Sequence, residues 1–151
     1  MRNYFILCLF CSTAFPGCTE LIRVDSETYM RNPGMYEGKY TLISADLEEV
    51  VENYQLYEGL DIEIAAPITH FEERDAPSWF LILEKNGKML KVYERNYLRF
   101  VPPDADYLAR WAKREGDPVT AQGKLYSWGM ELDTLIYREL VINTNVSSSL
   151  A

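Results

Sequence analysis

Cysteine and histidine are scarce in this chain of 151 residues, and their scarcity excludes several kinds of site. The three cysteines are Cys8, Cys11 and Cys18, so the chain beyond position 18 has no thiol. It can therefore form neither a disulfide framework nor a cysteine zinc site. His70 is the single histidine, which leaves no Cys–His or Ser–His pair for nucleophilic catalysis. We expect no metal site and no cofactor.

Long apolar runs are also missing. A transmembrane helix needs about 20 apolar residues, whereas the apolar run that follows Arg2 covers only residues 4–10. One positive charge, a short apolar stretch and no acidic residue are typical of a signal sequence. We therefore expect residues 1–18 to be a signal peptide and the mature chain not to be an integral membrane protein.

The end of this signal resembles a lipobox, the motif at which bacterial lipoproteins are cleaved and acylated. Its sequence is FPGC at 15–18, with the small Gly17 directly before the cysteine. The resemblance implies that Cys18 is the lipidated N-terminus. Thr19 after it implies, by similarity to proteobacterial lipoproteins, an outer-membrane protein that faces the periplasm. The alternative is ordinary cleavage after Ala14, which would leave Cys18 as a free thiol.

Composition divides the rest of the chain into three parts. Residues 19–35 are polar and mixed and end in the turn signal NPG, which predicts a tether. Residues 36–145 carry the alternating apolar patterns and are the expected folded domain. Residues 146–151 are small and polar, so we expect a disordered tail there.

Local patterns predict a mostly β domain with one short helix. Alternating apolar residues predict strands over 36–45, 60–68, 79–83, 89–93, 119–128 and 134–143. Asn86-Gly87 between two of these runs predicts a tight hairpin. The segment 46–57 fits either a helix or a strand. A further short helix is predicted to be capped by Asp104 and to end at Gly116.

This order of elements indicates a known small architecture. Strands, then one helix, then two more strands is typical of the OB-fold, a five-stranded barrel with its helix between the third and fourth strands. We therefore expect a small five-stranded OB-like barrel that is all-β apart from one short helix. A β-sandwich or an open α+β sheet would give a similar order and is the alternative.

Three short pieces of the body resemble the Slp-type starvation-inducible outer-membrane lipoproteins, which pair a lipobox with one OB-like domain. The pieces are NPGMYEGK at 32–39, IEIAAP at 62–67 and GDPVTAQG at 116–123, the last preceded by Tyr107. The chain departs from that family because it has neither paired glycines in the first predicted strand nor a terminal tryptophan. The resemblance implies a cell-envelope lipoprotein and carries no catalytic residue.

Positive charge is absent from residues 40–73, which hold nine acidic residues and neither Lys nor Arg. The whole chain has a formal net charge of −8. Such a field repels phosphate, because nucleic-acid binding depends on Lys and Arg contacts. In the OB interpretation this stretch supplies the loop between the first two strands, and residues 128–134, with Glu131 and Asp133, supply the second ligand loop. We therefore expect no nucleic-acid binding.

Basic residues gather instead in a hairpin over residues 85–99. Basic side chains between aromatic rings can bind an anionic polymer, whereas a lysine-fringed hairpin is more often a solvated edge protected from aggregation. Trp128, beside Gly129 in a predicted turn, is a candidate exposed anchor for a partner. The candidate partner-binding residues are Trp128, Lys85, Lys88, Lys91 and Arg95.

Carboxylates are the abundant catalytic groups, and two of them can suffice to hydrolyse a glycosidic bond. Adjacent or nearby pairs are Glu48-Glu49, Glu72-Glu73 and Asp104 with Asp106. His70, Glu72 and Glu73 could also supply one nitrogen and two oxygen ligands to a metal. Because the chain has 23 acidic residues, most such pairs are expected to face solvent.

Together these patterns predict a non-enzymatic, lipid-anchored envelope protein whose acidic OB-like domain binds a protein or envelope component. One alternative is a periplasmic carboxylate-dependent hydrolase acting on sugars. The other is a binder of anionic polymers that uses residues 85–99.

Overall fold

The computed structural model describes residues 5–8, 20–73, 79–94 and 103–143, and the statements below concern this part of the chain. Its strands are β1 (Phe5–Cys8), β2 (Glu20–Asp25), β3 (Tyr40–Ser44), β4 (Asp61–Glu73), β5 (Trp79–Lys85), β6 (Lys88–Glu94), β7 (Pro118–Tyr126), β8 (Gly129–Tyr137) and β9 (Leu140–Asn143). Its helices are α1 (Ser26–Arg31), α2 (Leu47–Glu52), α3 (Tyr54–Tyr57) and α4 (Pro103–Glu115), with a 3-10 helix over Pro33–Tyr36.

Strands β4 to β8 form a closed five-stranded barrel. The order around the barrel is β4, β5, β6, β8, β7 and back to β4. The β6–β8 pair is parallel, and the other four pairs are antiparallel. Helix α4 joins the third barrel strand to the fourth, as in the OB-fold. The predicted five-stranded OB-like barrel is confirmed, and the described residues hold three short α-helices besides α4.

Alternating side chains fill the barrel. In β7, Val119, Ala121 and Leu125 are buried, while Thr120, Gln122 and Lys124 are partly exposed. Gly123 continues this inward face at a bulge, where a Cβ atom would collide with the main-chain oxygen of Glu131. Glycine is therefore required for β7 and β8 to approach each other this closely.

Two local signals in the sequence correspond to the observed connections. Asn86 and Gly87 have φ angles of 51° and 80°, which suit the type I′ turn of a two-residue hairpin between β5 and β6. Helix α4 ends at Gly116, whose φ is 74° and whose N–H donates to the carbonyl of Ala112. The helix begins at Pro103, so Asp104 lies within its first turn and does not precede it as predicted.

The first barrel strand was predicted wrongly. We expected it over residues 36–45, but β3 lies outside the barrel as a parallel neighbour of β4. Strand β4 is the first barrel strand, because it pairs with both β5 and β7. The ambiguous segment 46–57 is helical, and Leu47, Val50 and Tyr57 of α2 and α3 are fully buried.

The segment expected to be a tether, residues 19–35, holds regular structure from Glu20 onward. Strand β2 runs parallel to β3, and α1 between them is capped by Asp25, whose side chain accepts the N–H of Thr28 at 2.7 Å. Val24 and Tyr36 join the core. The folded region therefore begins before position 36.

The two ends of the described chain also differ in detail from the predicted boundaries. Strand β1, within the expected signal segment, pairs antiparallel with β2. The predicted strand over 134–143 is divided into β8 and β9 by a turn at Arg138, whose φ is 55°. The expected disordered tail over 146–151 lies outside the described residues.

In the described part, no helix has both the length and the apolar character needed to cross a membrane.

Candidate binding face

Five ring-bearing side chains form a continuous series of contacts on the outer surface of the barrel, which we call the aromatic row. In order they are His70, Phe80, Tyr93, Trp128 and Tyr126. Successive ring centroids are 5.9, 5.8, 5.1 and 5.1 Å apart. The row therefore crosses from β4 over β5 and β6 to the β7–β8 turn.

Strand alternation explains why Phe80 and Tyr93 lie on the outer side. Their neighbours Leu81 and Val92 are fully buried in the barrel, and successive residues of a strand point to opposite faces. Phe80 and Tyr93 are also opposite each other in the β5–β6 register. Cross-strand aromatic pairs of this kind stabilise a sheet. Phe80 is only 3% exposed, so its ring supports the row from below.

A tight turn at residues 127–128 presents Trp128 beside β6. Gly129 follows it with a φ of 137°, and a Cβ atom there would collide with the main-chain oxygen of Lys91. This close approach brings the rings of Trp128 and Tyr93 into a T-shaped contact, at an interplanar angle of 76°. The same ring stacks on Tyr126 with an interplanar angle of 4°. Trp128 nevertheless remains 50% exposed.

Lys91 places a positive charge close to two of these rings. Its Nζ lies 4.5 Å from the centroid of Phe80 and 5.7 Å from that of Tyr93. An ammonium group over a ring face is attracted by the ring quadrupole. Lys91 is therefore the candidate basic residue that belongs to the aromatic row.

Lys85 and Lys88 do not join it. Lys85 pairs with Asp46 at 3.2 Å, and Lys88 pairs with Glu52 at 3.8 Å. Both acids belong to the segment of α2 and its N-cap, so these lysines bind the β5–β6 hairpin to that helix. Arg95 lies outside the described residues, as does the predicted lipidation site Cys18.

Charge around the row is mixed. His70 Nε2 lies 3.3 Å from Glu72 Oε2 at one end. Glu131 is opposite Tyr93 in the β6–β8 register and opposite Lys124 in the β7–β8 register. Acidic and basic side chains therefore alternate here, and neither sign dominates this face among the described residues.

The predicted ligand loops need correction. We expected the acidic stretch 40–73 to supply the loop between the first two barrel strands. It forms β3, α2, α3 and β4 instead, and β4 is itself the first barrel strand. The segment between the first two barrel strands is instead 74–78, which lies outside the described residues. The second predicted loop, 128–134, is mostly strand, so Glu131 and Asp133 belong to β8. Trp128 alone of its residues lies in the turn.

A buried carboxyl group lies beside the row on the inner face of β6. Glu94 is only 5% exposed, and its Oε1 has no hydrogen-bond partner. Burial raises the pKa of this carboxyl to about 8. The indole N–H of Trp79 inside the barrel also lacks a partner. The sequence analysis missed Glu94, although its alternation with Leu90 and Val92 placed it on the inner face.

The predicted carboxylate pairs make separate contacts. Glu48 accepts a hydrogen bond from Asn86, and Glu49 accepts one from Ser26. Glu73 pairs with Arg110, whereas Glu72 lies beside His70. The side chains of Asp104 and Asp106 are not described.

Two further observations concern possible catalytic and metal sites. A surface cavity of about 410 Å³ near the start of β3 has two carboxylates in its lining, Glu37 and Asp61, with Tyr29, Tyr36 and Tyr40. Within the described ranges, no group of three His, Cys, Asp or Glu side chains is arranged to hold a metal ion.

Comparison with known proteins gives no family assignment. No protein-family model and no curated protein matches the chain. One similar solved structure is the OBody AM1L10 bound to hen egg-white lysozyme, at 12% identity and a TM-score of 0.41, covering 64% of this chain and 90% of that one. Another is asparaginyl-tRNA synthetase from Pyrococcus horikoshii complexed with asparaginyl-adenylate, at 14% identity and a TM-score of 0.37, covering 62% of this chain and 23% of that one.

Proposed function

We propose that this protein is a lipid-anchored binding module of the bacterial cell envelope, and that it holds a protein or envelope component on the aromatic row. It acts by binding and catalyses no reaction. The observation that carries this proposal is the half-exposed Trp128, which lies between Tyr93 and Tyr126 in a continuous series of ring contacts.

The row has the properties of a preorganised contact surface. Aromatic side chains bring large contact areas at a low cost in conformational entropy, and tryptophan is common among residues that dominate binding energy. Trp128 is fixed from two sides by Tyr93 and Tyr126. Because the ring is already ordered, binding need not spend free energy on ordering it.

Anionic polymers are a poorer fit to this face. Phosphate binding draws most of its affinity from Lys and Arg contacts that release counterions. Lys85 and Lys88 are paired with acids, and Lys91 lies over aromatic rings. The formal charge of −8 also repels a polyanion.

The proposed anchor is Cys18, on the strength of the lipobox resemblance and of the similarity to Slp-type lipoproteins. Strand β2 begins at Glu20, two positions later. Two extended residues span at most about 7 Å, so a lipidated Cys18 would hold the domain directly against the bilayer. The proposed location is the periplasmic side of the outer membrane.

The test is capture of envelope components by the full chain in membranes. The wild type is compared with Trp128→Ala and with Tyr107→Ala, a matched loss of an exposed aromatic on α4. We expect at least one component to be retained by the wild type and by Tyr107→Ala and lost by Trp128→Ala. Equal retention by all three chains would contradict the row as the contact surface.

A further inference from the structure

We infer that the surface cavity near the start of β3 binds the zwitterionic phosphoethanolamine headgroup of a phospholipid in the bilayer that anchors the chain. We call this site the tyrosine cavity. Three tyrosines and three charged residues of its lining are used below: Tyr29, Tyr36, Tyr40, Glu37, Lys39 and Asp61. The inference rests on the anchor in the proposed function and makes no use of the aromatic row. The lipid is bound and no bond is made or broken.

The first argument is the position of the cavity at one edge of the sheet. Strands β2, β3 and β4 run parallel, so their first residues lie at the same edge. Tyr40 at the start of β3 is opposite Leu21 of β2, and Asp61 is the first residue of β4. Cys18 lies two positions before Glu20, where β2 begins, and two extended residues span at most about 7 Å. A bilayer that holds a lipidated Cys18 is therefore close to the tyrosine cavity.

The second argument is that the cavity is built on the core. The N–H of Lys39 donates to the carbonyl of Tyr36 at 3.0 Å and closes a turn with Glu37 and Gly38 at its centre. Glu37 has φ −59° and ψ 132°, and Gly38 has a φ of 75°, as in a type II turn. Tyr36 belongs to the hydrophobic core, and its ring centroid lies 5.3 Å from that of Tyr29. The turn that carries Glu37 and Lys39 is therefore fixed to the core through Tyr36.

The third argument is that the cavity holds charges of both signs. Glu37 and Lys39 are exposed, and across the described ranges neither side chain has a hydrogen-bond or ion-pair partner. Asp61 adds a second carboxylate to the lining. A phosphoethanolamine group carries a phosphate that can pair with the lysine and an ammonium whose N–H groups can donate to the carboxylates. A zwitterion therefore matches this lining better than a simple anion or cation does.

The fourth argument is the aromatic and apolar character of the same edge. Tyrosine rings attract an ammonium group that lies within about 6 Å of the ring centroid. Tyr40 is 54% exposed, and Met35, next to Gly34 of the cavity lining, is 56% exposed. Tyrosine is enriched at the level of lipid headgroups, because its ring has an apolar body and a polar hydroxyl. The exposed side chains of this edge therefore suit contact with a bilayer surface.

The charged groups also predict which headgroups are disfavoured. A choline group has no N–H to donate to Glu37 or Asp61. A phosphoglycerol headgroup brings a negative charge and no cation, and Glu20 adds a further exposed acid at this edge. We therefore expect ethanolamine to be preferred over both choline and glycerol.

The experiment is native mass spectrometry of the full chain in a maltoside detergent, whose headgroup is uncharged. The chain is mixed with equal amounts of phosphatidylethanolamine, phosphatidylcholine and phosphatidylglycerol that have identical acyl chains. The spectra measure the fraction of the chain that retains each lipid. We expect phosphatidylethanolamine to be retained at least about threefold more than either competitor, which is the size of effect given by exposed charge pairs.

Matched variants test the residues. Glu37→Gln should reduce the preference for phosphatidylethanolamine at least about threefold, and Lys39→Met should reduce its retention by a similar factor. Glu139→Gln and Lys113→Met remove the same charges at exposed positions outside the cavity lining and should match the wild type. Equal retention of the three lipids by the wild type, or an unchanged preference in Glu37→Gln and Lys39→Met, would overturn the inference.

A competition arm separates a lipid from a soluble ligand of the same chemistry. Free phosphoethanolamine, added at the concentration of the lipid, should displace little of it, because the free compound lacks the acyl chains. Complete displacement would show that the site takes a soluble compound, and the lipid assignment would then be wrong.

Failure of this inference can be told from failure of the proposed function. Fatty-acid labelling of the wild type and Cys18→Ser tests the anchor by itself. If the chain is not acylated but retains phosphatidylethanolamine through Glu37, the anchor is wrong and the lipid site stands. If the chain is acylated and shows no preference among the lipids, the anchor stands and the lipid site is wrong.

Discussion

The rings of Tyr126 and Trp128 lie within 4° of parallel, with their centroids 5.1 Å apart. Tyr126 is half-buried at the end of β7, whereas Trp128 is half-exposed in the turn that follows. The tyrosine therefore supports the tryptophan through a stacked contact.

Removal of that support should loosen Trp128. Stacked aromatic pairs contribute about 0.5–1.5 kcal/mol beyond the area that they bury. We expect Tyr126→Ala to lower the fluorescence anisotropy of Trp128, measured as the difference from the same variant carrying Trp128→Phe. Partner retention should fall at the same time. Tyr40→Ala, which removes an exposed tyrosine outside the row, is the control, and an equal fall in that variant would refute the supporting role.

Nucleic acid should not bind to this surface. The full chain, mixed with a labelled single-stranded oligonucleotide at about physiological salt, should show no change in anisotropy over the range of about 10⁻⁴ to 10⁻⁶ M in which non-specific binders respond. The reason is that the chain has a formal charge of −8, which repels phosphate, and that Lys85 and Lys88 are paired with acids. Micromolar binding that survives added salt and is lost in Trp128→Ala would show that stacking outweighs the repulsion.

The anchor can be tested separately from the binding face. We expect Cys18→Ser to abolish both membrane association and incorporation of a labelled fatty acid. The physical basis is that acyl chains bind a bilayer by about 0.8 kcal/mol per buried methylene. Cys11→Ser, within the same predicted signal, should retain both properties. Labelling of Cys18→Ser at the wild-type level would contradict acylation at this residue.

Glu94 should make the stability of the fold depend on pH. The pKa of its carboxyl is about 8 in the folded chain, against an ordinary value of 4.5. Between these values the folded chain keeps a proton that the unfolded chain releases. The stabilising effect of the protonated group is therefore complete below pH 4.5 and is lost as the pH rises toward 8, with a slope of up to about 1.4 kcal/mol per pH unit.

Urea unfolding at several pH values between 5 and 8 measures this slope. We expect the free energy of unfolding of the wild type to fall across the range and that of Glu94→Gln to stay much flatter. Glu139→Gln, at an exposed turn position, should keep the wild-type slope. A wild-type slope in Glu94→Gln would show that the buried carboxyl is not responsible.

Gly123 should tolerate no side chain. An added Cβ would meet the main-chain oxygen of Glu131, and overpacking of this kind costs about 1–3 kcal/mol. We expect Gly123→Ala to lower the free energy of unfolding by that amount. Gly34→Ala is the matched control, because its nearest atom would be Asn32 Oδ1 at 3.8 Å. Equal stabilities of the two variants would exclude the close approach of β7 and β8.

Much of the barrel could be predicted because its signals are local. Asn86-Gly87 specifies a hairpin turn through two positive φ angles, and Gly116 ends α4 in the same way. Alternation along β7 assigned its inner face without knowledge of its partners. Which strand comes first in the barrel cannot be predicted from local sequence. The sequences of β3 and β4 both predict strands, and the two differ only in the strands with which they pair.

The aromatic row could not be predicted from the sequence, because its contacts are not local either. Phe80 and Tyr126 have the alternating pattern of ordinary strand residues, and nothing nearby in the sequence marks them as neighbours of Tyr93 and Trp128. Their contacts depend on the registers between β5 and β6 and between β7 and β8. The pairing of Lys85 with Asp46, 39 positions away, could not be predicted from the sequence either. Lys85 was therefore expected to be available to a binding partner, whereas it is paired within the chain.

The most direct test of the binding face is photo-crosslinking in intact cells. A photoreactive benzoylphenylalanine replaces Trp128 in one chain and Tyr107 in another, so that each exposed aromatic position reports its own surroundings. Illumination should attach an envelope component to the chain labelled at position 128 and none to the chain labelled at 107. Adducts at 107 alone, or no adduct at 128, would contradict the account.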